Sequence, residues 1–455
     1  MGLRNLLHNL PEVKAPAEKK VSFNVKLKWT LVILVGFFIL SNIPLFGITE
    51  GSLSRFEYLA ILLGTSFGSI ISLGIGPIVM SSIILQLLSG AQIIHIDQST
   101  DEGKKFYQGM QKLLAFAFVI FEAMVYVLMK GIAPEPGFTG LVILQLCIGG
   151  FLIIFMDEVI QKWGFGSGVS LFIAGGIGWR LFAQLFQFIG PTGGFEATGK
   201  ILAIVASVIS GDGTGVMRAF FPIAVTAGLF LAVVFAQSLK VEIPLAFDRV
   251  RGHSTKWPLQ FFYAGVIPVI LVSALAANVQ LLASLLQNWV GHPTFLGGFS
   301  SSGQAISGFS FWITSVPILE TIVTGSFRWV YAAQAFFHVL FYTVLSVLFA
   351  FFWVGTSGQD ARSQAKRIVS SGMSMPGFRK DERVLESILK RYVGPLTIMG
   401  GAAIGILASV ANLLGALVGG TAILLVIMIL YQLYQNIAQQ HAVDMNPALK
   451  GFFGA

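Results

Sequence analysis

From Leu396 to Leu430 the chain runs for about 35 residues with almost no polar side chain. One helix of that length would measure about 52 Å. The hydrocarbon core of a bilayer is about 30 Å thick. The stretch is too long to cross a membrane once and too apolar to lie in water. It must fold back on itself, and Gly415, Gly419 and Gly420 mark the turn. Two spans result, about Pro395–Leu414 and Thr421–Ala438.

The rest of the chain obeys the same rule. Only 11% of its 455 residues are charged and 55% are hydrophobic. Soluble domains carry roughly 25% charged residues. That excludes a soluble enzyme, a disordered scaffold and a coiled coil. The 51 glycines fit membrane helices, where glycine is better tolerated. Cys147 is the one cysteine, so neither an intrachain disulfide nor a cysteine metal site is available.

Eight further spans are expected: Trp29–Ile48, about Ile75–Ile94, Tyr107–Gly131, Gly140–Trp163, Gly168–Phe188, Val216–Leu239, about Leu259–Leu286 and Ala332–Val354. Ten spans put both termini on one side. Six cations (Arg55, Lys130, Arg180, Lys200, Arg218 and Arg328) fall on the other side, and the remaining 23 of 29 lie with the termini. The positive-inside rule makes the termini cytoplasmic. The expected organisation is a cytoplasmic segment 1–28, spans one to five over 29–188, an external loop 189–215, spans six to ten over 216–438 and a cytoplasmic tail 439–455. Two cytoplasmic loops, 240–258 and 355–392, exceed what a connector needs. Their charge suits either orientation and lipid attraction or docking to a polyanion.

Ionisable groups inside spans default to functional candidates. Glu122 is the deepest carboxylate, Asp157 and Glu158 are placed to pair with Lys162, and His338 reads as a packed, hydrogen-bonded residue. Gln86 and Asn278 are mid-span amides suited to interhelical hydrogen bonds. Ile75 and Val79 stand four apart, as do Val169 and Ile173, so each pair shares a helix face. The glycines of Gly164–Gly168 lack the Lys-Ser/Thr ending of a phosphate loop. No spacing suggests a catalytic set, a cofactor site or a metal site. A secondary transporter remains an alternative, because broken helices and inverted repeats serve transporters too.

The stretches Leu73–Leu88 and Asp157–Ile173 resemble the two signatures of the SecY family. Ile243–Gly252, Ile267–Ile270, Gly377–Lys380 and Ala411–Thr421 resemble its archaeal branch. Gln161 departs from the small polar residue usual in the second signature. The resemblance implies an all-α polytopic membrane protein. Its ten transmembrane helices form two five-helix halves, related as an inverted repeat, with a short plug half-helix.

The implied activity is that of a passive protein-conducting channel. Secretory chains cross it, and signal or transmembrane segments leave sideways into the lipid bilayer. By the same resemblance the pore ring falls on Ile75, Val79, Val169, Ile173, Ile270 and Leu425. The plug falls on about 53–64, with Leu53, Phe56, Leu59, Leu62, Leu63 and Gly64. A lateral gate is implied between spans two and seven, with Gln86, Glu122 and Asn278 as polar members. Met80 stands where a hydroxyl is usual, beside Ser81. Arg249, Arg251, Arg379 and Lys380 match ribosome-contacting positions. Implied partners are a SecE-type single-span subunit, a small beta subunit and the large ribosomal subunit. The implied location is the cell membrane.

Overall fold

The computed structural model describes residues 10–17, 21–49, 68–90, 93–94, 96, 101–129, 131–188, 198–247, 254–300, 304–370, 373–374 and 381–445. The expected plug and the four basic docking residues lie outside the described residues. Among those described, nine helices are long and apolar enough to cross a membrane.

In chain order the helices of the first part are α1 (Phe23–Ser41), α2 (Gly76–Gly90), α3 (Asp101–Leu128), α4 (Thr139–Trp163) and α5 (Gly168–Phe186). A short helix, α6 (Lys200–Ser210), leads to α7 (Gly213–Ser238) and α8 (Ile267–Val290). Two six-residue helices follow, α9 (Gly308–Ile313) and α10 (Ile318–Val323). The chain ends with α11 (Trp329–Thr356), α12 (Ala361–Ser370), α13 (Glu382–Leu413) and α14 (Gly420–Met445). The expected hairpin is present. α13 stops at Leu413, Gly415 and Gly419 take φ of 74° and 92°, and α14 begins at Gly420.

Several spans differ from their expected bounds; α1 runs Phe23–Ser41 where Trp29–Ile48 was expected, and α3 starts at Asp101 and not at Tyr107. α2 has 15 residues, about 22 Å: it begins at Gly76, beside the expected Ile75 and after turns over 68–75, and ends at Gly90, short of the expected Ile94. Those turns are pinned: Leu45 N–H donates to Gly68 O and Ile70 N–H to Ile43 O. α8 starts at Ile267 and not at Leu259, because Ser254–Gln260 is a strand. α13 runs 32 residues straight through Pro395, so the amphipathic stretch Arg383–Arg391 and the ninth span are one helix. The ring at Pro395 removes a single backbone donor, and packing on both sides holds the helix across it.

The long loops are not purely helical. β1 (Lys240–Phe247) and β2 (Ser254–Gln260) form a hairpin, and two further residues, β3 (Gly298–Phe299), pair with β4 (Ala305–Ser307). β5 (Met373–Ser374) then adds to β1, with Ala246 opposite Ser374 and Phe247 opposite Met373. The two basic loops thus share one sheet. They also share a small apolar core, with Ile243, Leu259, Ala365, Ile368, Leu385 and Leu389 all buried. Tyr263 closes it by donating its hydroxyl to Gln359 O. Burial pushes that phenol up to about 12, so it stays a donor at any ordinary pH.

The main core lies among the spans. Outward, Leu31, Val32, Val35 and Ile39 of α1 are exposed, as residues facing hydrocarbon can be. The turn at 68–75 rests on α4 where a side chain has no room. A Cβ on Gly149 would come within 1.9 Å of Ile70 O, whereas Gly178 on α5 has nothing within 4 Å. Gly149→Ala should therefore destabilise the protein by about 1–3 kcal/mol or more. Gly178→Ala should be neutral or slightly stabilising. Thermal unfolding of both variants in detergent checks the pair.

Candidate functional site

A cavity of about 600 Å³ opens between the spans, on the side that carries the two basic loops. Its walls are polar, with Lys104, Gln108 and Gln111 from α3 and Gln432 and Asn436 from α14. Its floor is aliphatic, with Ile78, Val79, Val169, Ile270 and Ile429. Three expected ring residues, Val79, Val169 and Ile270, therefore meet at the bottom of one cavity. Ile75, Ile173 and Leu425 are buried in the same apolar cluster, and Val169 packs against it.

Two interruptions of helix hold this floor in place. The first is the turn at 68–75, where Gly74 takes a φ of 53° just before α2. The second is Gly164–Gly168, between α4 and α5. Each glycine there answers a steric demand. A Cβ on Gly164 would lie 2.8 Å from Thr30 Oγ1, and one on Gly168 would lie 2.6 Å from Asp157 Cα. Gly166 has a φ of 73°, which a side chain disfavours. Phe165 N–H donates to Thr30 Oγ1 at 3.1 Å. The glycine string is a tight corner for the chain.

Asp157 and Glu158, adjacent in sequence, do different work. Glu158 pairs with Lys112 at 2.7 Å and with Lys162 at 2.9 Å. Asp157 does not join them, contrary to expectation. Successive helix residues point about 100° apart, and Asp157 faces α5. Its Oδ1 accepts Val169 N–H at 2.9 Å and its Oδ2 accepts Gln161 Nε2 at 2.7 Å. Lys162 also reaches Glu12 and Val13 O, tying the N-terminal segment to this corner.

The expected gate residues are buried but do not form one cluster. Gln86 lies seven residues past Val79, about 10 Å toward the basic side. Asn278 lies eight residues past Ile270, about 12 Å toward the other side. Glu122 Oε2 sits 3.0 Å from the point where Gly76 would carry a Cβ. No hydrogen bond joins any two of the three. Asn278 Nδ2 donates to Ala274 O of its own helix, and Gln86 Oε1 and Glu122 Oε2 have no partner. Asn278 spends its amide on its own helix rather than on the interhelical bond expected of it, because asparagine can reach the carbonyl four residues back; for Gln86 no interhelical amide bond is present among the described residues.

Beside the cavity, a hydroxyl that crosses between helices is that of Ser82, which accepts Gln111 Nε2 at 2.6 Å. Sequence reasoning passed over it in favour of Met80 and Ser81. Ser81 donates to Ile78 O and stays within α2. The signal was its spacing: Ser82 is three residues from Val79, on the cavity face. His338 is packed and bonded as expected, with Nδ1 2.6 Å from Ile313 O.

The SecY family model matches residues 69–434. A protein translocase subunit SecY from Methanothermobacter thermautotrophicus is 44% identical over 98% of this chain and 97% of its own. A solved structure described as a protein conducting channel superposes with a TM-score of 0.83 at 35% identity, covering 98% of this chain and 99% of that one. Sec61 in the canine ribosome-channel complex from the endoplasmic reticulum gives a TM-score of 0.80 at 35% identity, with the same coverage. Matches that span nearly every residue, on a helical frame with a cavity floored by aliphatic side chains, place the chain in the SecY family.

Proposed function

We propose that this chain is the channel-forming subunit of a protein translocation complex. The observation that carries the reading is the cavity between the spans, lined by Val79, Val169 and Ile270 together with polar side chains. Aliphatic side chains offer a passing polypeptide no specific hydrogen bond, and a narrow ring of them excludes ions by dewetting. With Ile75, Ile173 and Leu425 they form the resting seal, and residues 53–64 serve as the plug. A signal or transmembrane segment leaves between α2 and α8, which pack against each other. Gln86 and Asn278 lie on these two helices, and Glu122 lies on α3, which packs against α2. The two termini and both basic loops face the cytoplasm, in a cell membrane crossed many times.

The pore is passive and works with partners: a SecE-type single-span subunit, a small beta subunit and a ribosome that drives the chain. Arg249, Arg251, Arg379 and Lys380 dock the ribosome. The pairing of β1 with β5 supports this, because Arg249 lies two residues past Phe247 and Arg379 five past Ser374. Both basic tips spring from the same pair of strands.

Two outcomes are expected. In vesicles, the triple variant Ile75→Gly, Val79→Gly, Ile270→Gly should leak ions at rest by at least tenfold over the parent, measured as dye-reported flux. An unchanged flux would move the seal to the plug. Charge reversal at Arg249, Arg251, Arg379 and Lys380 should weaken ribosome binding by a hundredfold or more. Parent binding should fall steeply between 50 and 200 mM salt, as phosphate contacts do; salt-insensitive binding would reject the docking surface.

A further inference from the structure

We propose that Asp157 is a positioning residue for the seal: its carboxylate, reaching from α4 to the first turn of α5, sets where Val169 and Ile173 stand. The proposal rests on the reading of those two residues as part of the seal.

The residue preceding α5, Ser167, makes no side-chain cap. The first N–H groups of a helix have no partner within it and must find one elsewhere. Asp157 supplies it from another helix, accepting Val169 N–H at 2.9 Å. The acceptor cannot swing away. Asp157 is 6% exposed, its second oxygen holds Gln161 Nε2 at 2.7 Å, and its own Cα stands against Gly168. A helix held at its first turn is fixed both in height and in rotation. Val169 is itself bonded to the carboxylate, and Ile173 follows one turn later on the same face.

Of the neighbouring ion pairs of Glu158, the one with Lys112 ties α4 to α3 and the one with Lys162 stays within α4; neither reaches α5. The tie between α4 and the start of α5 is therefore a cap and not a charge pair. Asparagine caps a helix about as well as aspartate does, so the amide should replace the acid and alanine should not.

The test uses the complex of this chain with its single-span partner. Resting conductance is read in planar bilayers, and amide hydrogen exchange is followed over Val169–Ile173. Asp157→Ala should raise conductance at least tenfold and speed exchange at Val169 and Ser170. Gly168→Ala, which pushes against the carboxylate, should do the same. Asp157→Asn should stay within twofold of the parent in both readouts. Glu158→Gln should also leave both unchanged, although it weakens two ion pairs one residue away.

Parent-like exchange and conductance in Asp157→Ala would overturn the proposal. So would Asp157→Asn matching the alanine variant, or Glu158→Gln leaking equally, since either makes the role electrostatic or general. Faster exchange with unchanged conductance would overturn it too. In that case a silent triple-glycine variant traces the failure to the seal reading, and a leaking one traces it to Asp157.

Discussion

Backbone that leaves the helix inside a membrane must find its hydrogen bonds within the protein, since hydrocarbon offers none. Two non-helical segments adjoin the cavity floor, at 68–75 ahead of α2 and at 164–167 between α4 and α5, and bonds to other parts of the chain hold both. The first is bonded to Ile43 and Leu45 and seated on Gly149. The second is bonded to Thr30 and Asp157. Each break ends where a short aliphatic turn begins, Ile75–Val79 in one case and Val169–Ile173 in the other. The cavity floor stands where it does because these two corners are rigid.

Sharp corners also explain the uneven use of polar groups. Almost all the hydrogen bonding near the floor is spent on backbone, and little is left between side chains of different helices. Ser82 with Gln111 is the exception close to the cavity. Glu122 is the opposite case, a carboxylate oxygen buried beside Gly76 with nothing to accept from. An unpaired buried acid is costly, so the helices around it are held by packing and not by that group.

The sequence made the spanning character and the final hairpin plain, because apolar length against membrane thickness leaves no other answer. The family motifs pointed to Val79, Val169 and Ile270 before any geometry was known. Bounds were harder. Pro395 looked like the start of a span, yet α13 passes through it, since one missing donor costs less than the packing on either side restores. The hairpin over 240–260 was hidden because Pro244 and Pro258 stand inside its two strands, where proline reads as a strand breaker. Asp157 and Glu158 were indistinguishable by chemistry. Only the rotation of one residue along α4 decides that one meets lysines and the other meets the corner of α5.

The length of α13 carries a consequence of its own. One end is built into the small core under the two basic loops, with Leu385 and Leu389 buried there. The other end, near Asn412, is bonded to Thr421 at the start of α14 and approaches His338 of α11. A helix of 32 residues is a stiff rod of about 48 Å. Whatever tilts the outer platform works a lever whose far arm moves the turn beside α11 and α14. Load applied to the loops from outside the membrane therefore reaches the opposite surface through one continuous helix, with Pro395 inside it.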